Sequence, residues 1–261
     1  MKLELVMADP AGNRTALVRT PVDPSLRGET AQKIMALGEL KAEQVGYCCP
    51  PLGAALGRLE MMGGEFCGNA ARSFGLLLAA ERGAGKSTVQ VEVSGCSGIL
   101  PVEVDPENET AACPVPLPFA MEELTVPGLG VLPAVRMEGI THVIIRGERA
   151  GEKAFRAVCQ SAGDRWEWKA LGGMFLSGDH TLTPVVAVRA AGSTVFEGSC
   201  ASGTAAVAAW LSQGEGEGER EYRFPQPGGV LTATVRREGD KLTEIKVSGR
   251  VRLEKRLWVE V

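Results

Sequence analysis

Hydrophobic positions along the chain follow two periodicities, and each pattern occurs twice. Ala31, Ile34, Met35 and Gly38 recur at helical spacing, as do Ala154, Phe155, Val158 and Cys159, so each set predicts an amphipathic helix. Two other stretches are apolar nearly all round: Ala70, Ala71, Phe74, Leu76, Leu77, Leu78 and Ala79 in one, and Ala205, Ala206, Val207, Ala208, Ala209 and Leu211 in the other. A helix without a polar face is a buried helix. Gly83 and Gly214 stand where C-terminal caps belong, which predicts about four turns for each.

Sliding the chain against itself shows that the pairing extends to whole segments, about 130 residues apart. Gly12-Asn13-Arg14-Thr15-Ala16-Leu17-Val18-Arg19 lies against Gly139-Ile140-Thr141-His142-Val143-Ile144-Ile145-Arg146, each a turn entering a strand. Glu65-Phe66-Cys67-Gly68-Asn69-Ala70-Ala71 lies against Gly198-Ser199-Cys200-Ala201-Ser202-Gly203-Thr204, each opening a small-residue helix, and the two cysteines coincide. Gly98-Ile99-Leu100-Pro101-Val102-Glu103-Val104 lies against the strand Gly229-Val230-Leu231-Thr232-Ala233-Thr234-Val235. Between these anchors the expected order is two strands, an amphipathic helix, two or three strands, the cysteine-led helix, then more strands. Two similar α/β halves follow, with a boundary in the run Cys113-Pro114-Val115-Pro116-Leu117-Pro118, while the run from Gly214 to Arg220 reads as a solvated loop.

At 261 residues the chain is long enough for a sizeable core. Its 28 basic and 32 acidic residues are interspersed, so a nucleic-acid partner is not expected. The N-terminus lacks a signal-peptide pattern and no stretch reaches membrane-spanning length, so a cytoplasmic protein without a membrane partner is expected. Seven cysteines without C-x-x-C spacing suggest neither a disulfide framework nor a zinc site, and no metal is expected. Cys48, Cys49, Cys96, Cys113 and Cys159 read as small buried hydrophobes.

Cys67 and Cys200 differ from these five because each begins a helix at an equivalent place in the repeat. A helix N-terminus presents unpaired N–H groups and a partial positive charge, which favours a thiolate and also binds a carboxylate. If the halves are related by approximate two-fold symmetry, the two thiols face each other. Inverting an α-carbon needs a base on one face and an acid on the other, and a thiolate with a thiol meets that need. Amides at Gly68, Asn69, Ala201 and Ser202 are the candidate donors to the negative intermediate. No phosphate-binding lysine motif or dinucleotide glycine pattern is present, so no organic cofactor is expected.

The two cysteine motifs resemble the C-G-N-G and C-G-T-G of the diaminopimelate epimerase superfamily of pyridoxal-independent racemases. Pro10-Ala11-Gly12-Asn13, Glu43-Gln44-Val45-Gly46, Val93-Ser94-Gly95-Cys96-Ser97, Phe196-Glu197-Gly198-Ser199-Cys200 and Gln226-Pro227-Gly228-Gly229 resemble a narrower branch, the histidine racemases of staphylopine-type metallophore synthesis. The resemblance implies an α/β (α+β) fold of two pseudo-symmetric halves, each a curved, mostly antiparallel sheet wrapped around a central apolar helix. One half spans 1–118, with the final strand 251–261, and the other 119–250. It implies Cys67 and Cys200 as the thiolate/thiol pair, with Asn13, Gly68, Asn69, Ala201 and Ser202 binding the α-amino-acid head. His142 matches a histidine beside the cysteines, Glu197 an active-site glutamate, and the expected assembly is a homodimer.

Departures from the family pattern bear on the substrate. Diaminopimelate epimerases carry an arginine before the second cysteine for the distal carboxylate, and Val195-Phe196-Glu197-Gly198-Ser199 has none. A dianionic substrate would lose its charge-assisted anchor, which favours histidine. Ala201 replaces a glycine at a position where a helix accepts alanine, and Thr141 replaces an asparagine that contacts substrate. The alternatives are a diaminopimelate epimerase or a racemase of another amino acid, a cysteine hydrolase using one thiol with His142, and an amino-acid-binding protein whose site has decayed.

Overall fold

A computed structural model describes residues 1–189 and 192–261. The chain divides into two compact units, Met1–Pro114 with Ser248–Val261, and Val115–Val247. In the first unit the elements run β1 (Lys2–Asp9), β2 (Thr15–Val18), α1 (Arg27–Ala36), β3 (Gln44–Cys49), β4 (Gly57–Met61), α2 (Gly68–Glu81), β5 (Ser87–Val93), β6 (Leu100–Asp105) and β7 (Thr110–Pro114). The second unit contains β8 (Ala120–Val126), β9 (Gly130–Met137), β10 (Ile140–Arg146), α3 (Glu152–Arg165), β11 (Ala170–Leu176), β12 (Leu182–Val188), β13 (Ser193–Phe196), α4 (Ala201–Leu211), β14 (Gly218–Gln226), β15 (Gly229–Glu238) and most of β16 (Lys241–Arg250). The chain then returns to the first unit as β17 (Arg252–Leu253) and β18 (Leu257–Glu260).

The sheet of the first unit runs β7-β6-β5-β4-β3-β2-β1-β17, with β18 also on β1. Most neighbours are antiparallel; the pairs β2 with β3 and β4 with β5 are parallel because a helix intervenes in each connection. Strand alternation supplies two cores. Leu3, Leu5 and Met7 of β1 join Ile34 of α1 and Val45 of β3, whereas Val6 and Ala8 join Phe74 and Leu77 of α2. With both faces covered, β1 is buried continuously from Leu5 to Ala8 and β2 from Thr15 to Val18, as in sheets that carry helices on each side.

In the second unit, sheet order β13-β12-β11-β10-β9-β8 repeats the pattern, with β10 and β11 parallel across α3. The helix buries Phe155, Val158 and Ala162 against Leu124, Ala134, Val143 and Leu171. A second ladder, β14-β15-β16, lies beside α4 through β15. Helices α2 and α4 are buried from Gly68 to Ala79 and, Ser202 excepted, from Ala201 to Ala209, as their lack of a polar face predicts. Gly83 and Gly214 adopt the left-handed conformation of C-terminal caps, φ +63° and +77°.

Four details differ from the sequence expectation. Helix α1 ends at Ala36 because Leu37 turns extended, so Gly38 lies beyond its apolar face. Helix α4 spans 11 residues, about three turns rather than four. From Gly218 the supposed loop is already strand: Glu219 pairs with Arg236 and Arg220 with Val235, and ladder pairing overrides the weak intrinsic preference of Gly and Glu. The second half opens with three strands instead of two. Strand β8 pairs with β9 as β18 pairs with β1, so the first unit takes its equivalent strand from the other end of the chain.

The position of α2, and so of its first residue, depends on a close approach to β6 at Gly75. A Cβ there would lie 2.6 Å from Val102 Cγ1 and 2.7 Å from Val102 Cβ. Gly75→Ala gains about 1 kcal/mol of helix propensity, but the clash forces the helix off the strand and outweighs it. The expected net loss is about 1–2 kcal/mol, read as a lower urea midpoint at unchanged slope.

Candidate active site

Cys67 and Cys200 cap α2 and α4 with nearly the same backbone, φ −128° and ψ 108° at the first, φ −132° and ψ 112° at the second. Both are extended residues at the mouth of a helix, the conformation of an N-cap. The half-buried Cys67 thiol accepts from the Ala70 amide at 3.4 Å. In the second unit the Gly203 amide occupies the equivalent place and acts on the Cys200 thiol.

In the first unit, Ser94 anchors the turn before Cys67 by accepting from the Met61 amide and donating to the Glu65 carbonyl, both at 2.9 Å. Asn13 and Asn69 then join in one buried chain. Asn13 Nδ2 donates to Glu43 Oε2 at 3.1 Å, and its Oδ1 accepts from Gln44 Nε2 at 2.7 Å and Asn69 Nδ2 at 3.2 Å. Asn69 Oδ1 accepts from Arg72 Nη2 at 2.7 Å. An acceptor-only carboxylate at one end and a donor-only guanidinium at the other fix both amide orientations. Burial pushes the Glu43 carboxyl up and nearby Asp9 adds to this, while the Asn13 hydrogen bond and Arg14 pull it down.

In the second unit, Gln226 at the end of β14 fastens Cys200. Its Oε1 accepts from the Cys200 amide at 3.0 Å, and its Nε2 donates to Thr204 Oγ1 at 2.7 Å. The Thr204 hydroxyl in turn donates to the Cys200 carbonyl at 2.7 Å. Ser202 Oγ lies 3.5 Å from Cys200 Sγ and 3.0 Å from His142 Nε2. His142 therefore reaches the thiol through Ser202. Its ring fits because the paired residue on β11 is Gly172, where a Cβ would stand 2.2 Å from Nδ1. Burial pushes the imidazole down to about 3, so it is neutral. Since Nδ1 has no partner and an orphaned acceptor costs less than an orphaned N–H, the hydrogen belongs on Nε2 and is donated to Ser202. That frees the Ser202 hydroxyl to donate to sulfur.

The helix N-terminus does not set the protonation of Cys200. Burial is the largest influence and pushes the thiol well above its usual range, and the Glu197 carboxylate adds to this; Ser202 and the Gly203 amide pull the other way and are outweighed. Desolvation of a thiolate exceeds what a partial helix charge returns.

The structure thus groups Asn13, Cys67, Gly68 and Asn69 in one unit, and His142, Glu197, Cys200, Ala201 and Ser202 in the other. Sequence reasoning missed Glu43, Gln44, Arg72, Thr204 and Gln226 as supporting residues. For Arg72 a signal existed, the one charge within the stretch Gly68 to Ala79 that otherwise reads as a buried helix. Glu43, Gln44 and Gln226 lay inside noted segments, but only the fold shows which backbone groups they reach.

The family model for the N-terminal domain of the histidine racemase CntK matches residues 2–256. A histidine racemase of Fusobacterium nucleatum is 33% identical over 222 residues, covering 81% of each chain. One of Staphylococcus aureus is 25% identical over 247 residues, covering 90% of this chain and 89% of its own. Among solved structures, a probable proline racemase from Agrobacterium radiobacter superposes with a TM-score of 0.75 at 12% identity, over 99% of this chain and 93% of the other, which shows a shared fold.

Because folded His142 stays neutral while the unfolded imidazole takes a proton near pH 6.5, the unfolded state binds more protons below that pH. Stability therefore falls as pH drops from about 6.5 towards about 3, by up to about 1.4 kcal/mol per pH unit. Unfolding free energies at pH 7 and pH 5.5 should differ less in His142→Asn than in the unmodified chain. Gln226→Leu strands the Cys200 amide and the Thr204 hydroxyl and should cost about 1–3 kcal/mol in the same assay.

Proposed function

Because the chain belongs to the histidine racemase family, an isomerase family acting on amino acids, we propose that it inverts the α-carbon of histidine with Cys67 and Cys200 as alternating base and acid, without an organic cofactor. The observation that carries this reading is the pair of cysteine N-caps with matching backbone geometry at equivalent positions of two units. A thiolate removes the α-proton, and the electron pair left behind delocalises onto the carboxylate. The other thiol then gives its proton to the opposite face of the carbon. Each turnover leaves the proton on the other sulfur, so the product is the enantiomer and nothing is oxidised or reduced.

Each residue has a role that its contacts support. The amides of Gly68, Asn69, Ala201 and Ser202 lie in the first turns of α2 and α4, where N–H groups are available to a carboxylate. Asn13 retains one amide hydrogen beyond its donation to Glu43, suited to the amino-acid head. Ser202, backed by neutral His142, donates to Cys200 when that sulfur is anionic, and Glu197 favours the sulfur's protonated state. Histidine fits better than a dicarboxylic substrate because residues Val195 to Ser199 contain no arginine to bind a second carboxylate.

The test is α-proton exchange in deuterated water with L-histidine, D-histidine and LL-diaminopimelate, read by proton NMR with chiral separation of products. Deuterium should enter both histidine enantiomers; entry into diaminopimelate alone overturns the substrate. Cys67→Ser and Cys200→Ser should each slow racemisation by about 10²–10⁴-fold, the usual contribution of a general acid or base. A near-normal rate in either variant overturns the two-thiol scheme.

A further inference from the structure

Among the described residues, Arg72 heads the fully buried side chains by size. Its Nη1 donates to the carbonyls of Gly249 at 3.0 Å and Ala111 at 3.4 Å, and its Nη2 to Asn69 Oδ1 at 2.7 Å. Buried Nε has no partner, and among the described residues no carboxylate pairs with the guanidinium. Neutral acceptors satisfy hydrogen bonds without neutralising charge, and an uncompensated buried cation is strongly destabilising. The acidic groups within its electrostatic reach are two thiols, Cys67 at the start of α2 and Cys113 on β7.

Only one of the two is placed to be an anion. Cys113 is fully buried, points its S–H at the Gly68 carbonyl at 3.7 Å, and is pushed up to about 12 by burial, with Cys67 and Cys96 adding to the effect against Arg72. Cys67 is only half-buried and already accepts from an amide at the positive end of α2. Arg72 from α2 and Cys113 from β7 both act on it, while Cys96 from the turn after β5 acts on Cys113. At Cys200 the nearby charge is the Glu197 carboxylate, of opposite sign.

Resting on the two-thiol reading, we propose that Arg72 is a positioning residue that holds Cys67 as the thiolate of the resting enzyme, while Cys200 carries the proton. Duplication supplied two equivalent caps, and one buried cation distinguishes them. Arg72 orients Asn69 with the same guanidinium, so the residue beside the thiolate and the thiolate itself are set together.

Thiolate absorbance near 240 nm, titrated from pH 5 to 10 on the full chain and on Cys67→Ser and Cys200→Ser, tests this. The low-pH step should be present in the full chain and in Cys200→Ser and absent in Cys67→Ser. Arg72→Met should move that step up by about one pH unit or more, and Arg72→Lys should restore most of the difference. If Arg72→Met does not fold, the full chain decides alone: a Cys67 step at or above the ordinary thiol value of about 8.5 overturns the proposal, as does an unmoved step in a folded Arg72→Met. Racemisation in the two Cys→Ser variants is read separately. Its loss in both alongside an ordinary Cys67 step overturns only the Arg72 assignment, whereas its retention in Cys67→Ser overturns the two-thiol reading itself.

Discussion

A helix buried along its length must still satisfy the N–H groups of its first turn, and in both units the residue placed to do so is a cysteine. Ser, Thr, Asp or Asn at this position would close the turn with a strong oxygen acceptor. The sulfur of a neutral thiol is a weaker one, and the Ala70 amide meets the Cys67 sulfur at 3.4 Å, an ordinary length for an N–H···S contact. The first-turn amides of α2 and α4 are consequently capped loosely. On the proposed reading they serve the substrate carboxylate, and the capping atom is itself an acid and a nucleophile. Burial of both helices, enforced by contacts such as Gly75 on Val102, keeps those amides away from bulk water where their field is strongest.

Around this shared device the two units have diverged. In the first, an unbroken chain from Glu43 through Asn13 and Asn69 to Arg72 brings amide dipoles and a guanidinium to the cap. In the second, a carboxylate, a hydroxyl and a neutral imidazole surround the sulfur, and a glutamine secures its backbone. Buried polar groups of this kind are costly unless fully paired, and nearly all of these are paired. The exceptions, Arg72 Nε and His142 Nδ1, both lie on residues that support a thiol.

What the sequence could reveal was whatever periodicity and the internal repeat encode. The two all-apolar helices, their cysteine starts and their glycine ends were legible because a helix that lacks a polar face has one fate and a C-cap glycine one conformation. The equivalence of β8 and β18 was not, since one half borrows its strand from the far end of the chain and no local signal marks that return. Gly218 to Arg220 read as loop because composition speaks to solvation, whereas strand pairing with β15 depends on a partner distant from any local window. Which thiol carries the proton was not legible for a related reason: a helix start is visible in sequence, but the depth at which it buries Cys200 is not. Gly172 shows the same limit, since its role as the space for His142 arises only when β10 and β11 pair in register.

An enzyme that interconverts enantiomers faces a thermodynamic constraint that bears on this asymmetry. L- and D-amino acids have equal free energies in water, so the equilibrium constant is unity and kcat/KM must be equal in the two directions, however unlike the two sides of the site are. The chain is free to differentiate its thiols provided the transition state is the same in both directions. A cation beside one sulfur and a carboxylate beside the other then do not bias the product. On the two-thiol reading proposed above, they decide where the single proton waits between turnovers and so which enantiomer the resting enzyme can deprotonate at once. A site with two identical thiols would populate dithiol and dithiolate forms as well, and neither of these can complete a turnover. Opposite local charges suppress both forms, and that is the advantage of letting a duplicated site become unequal.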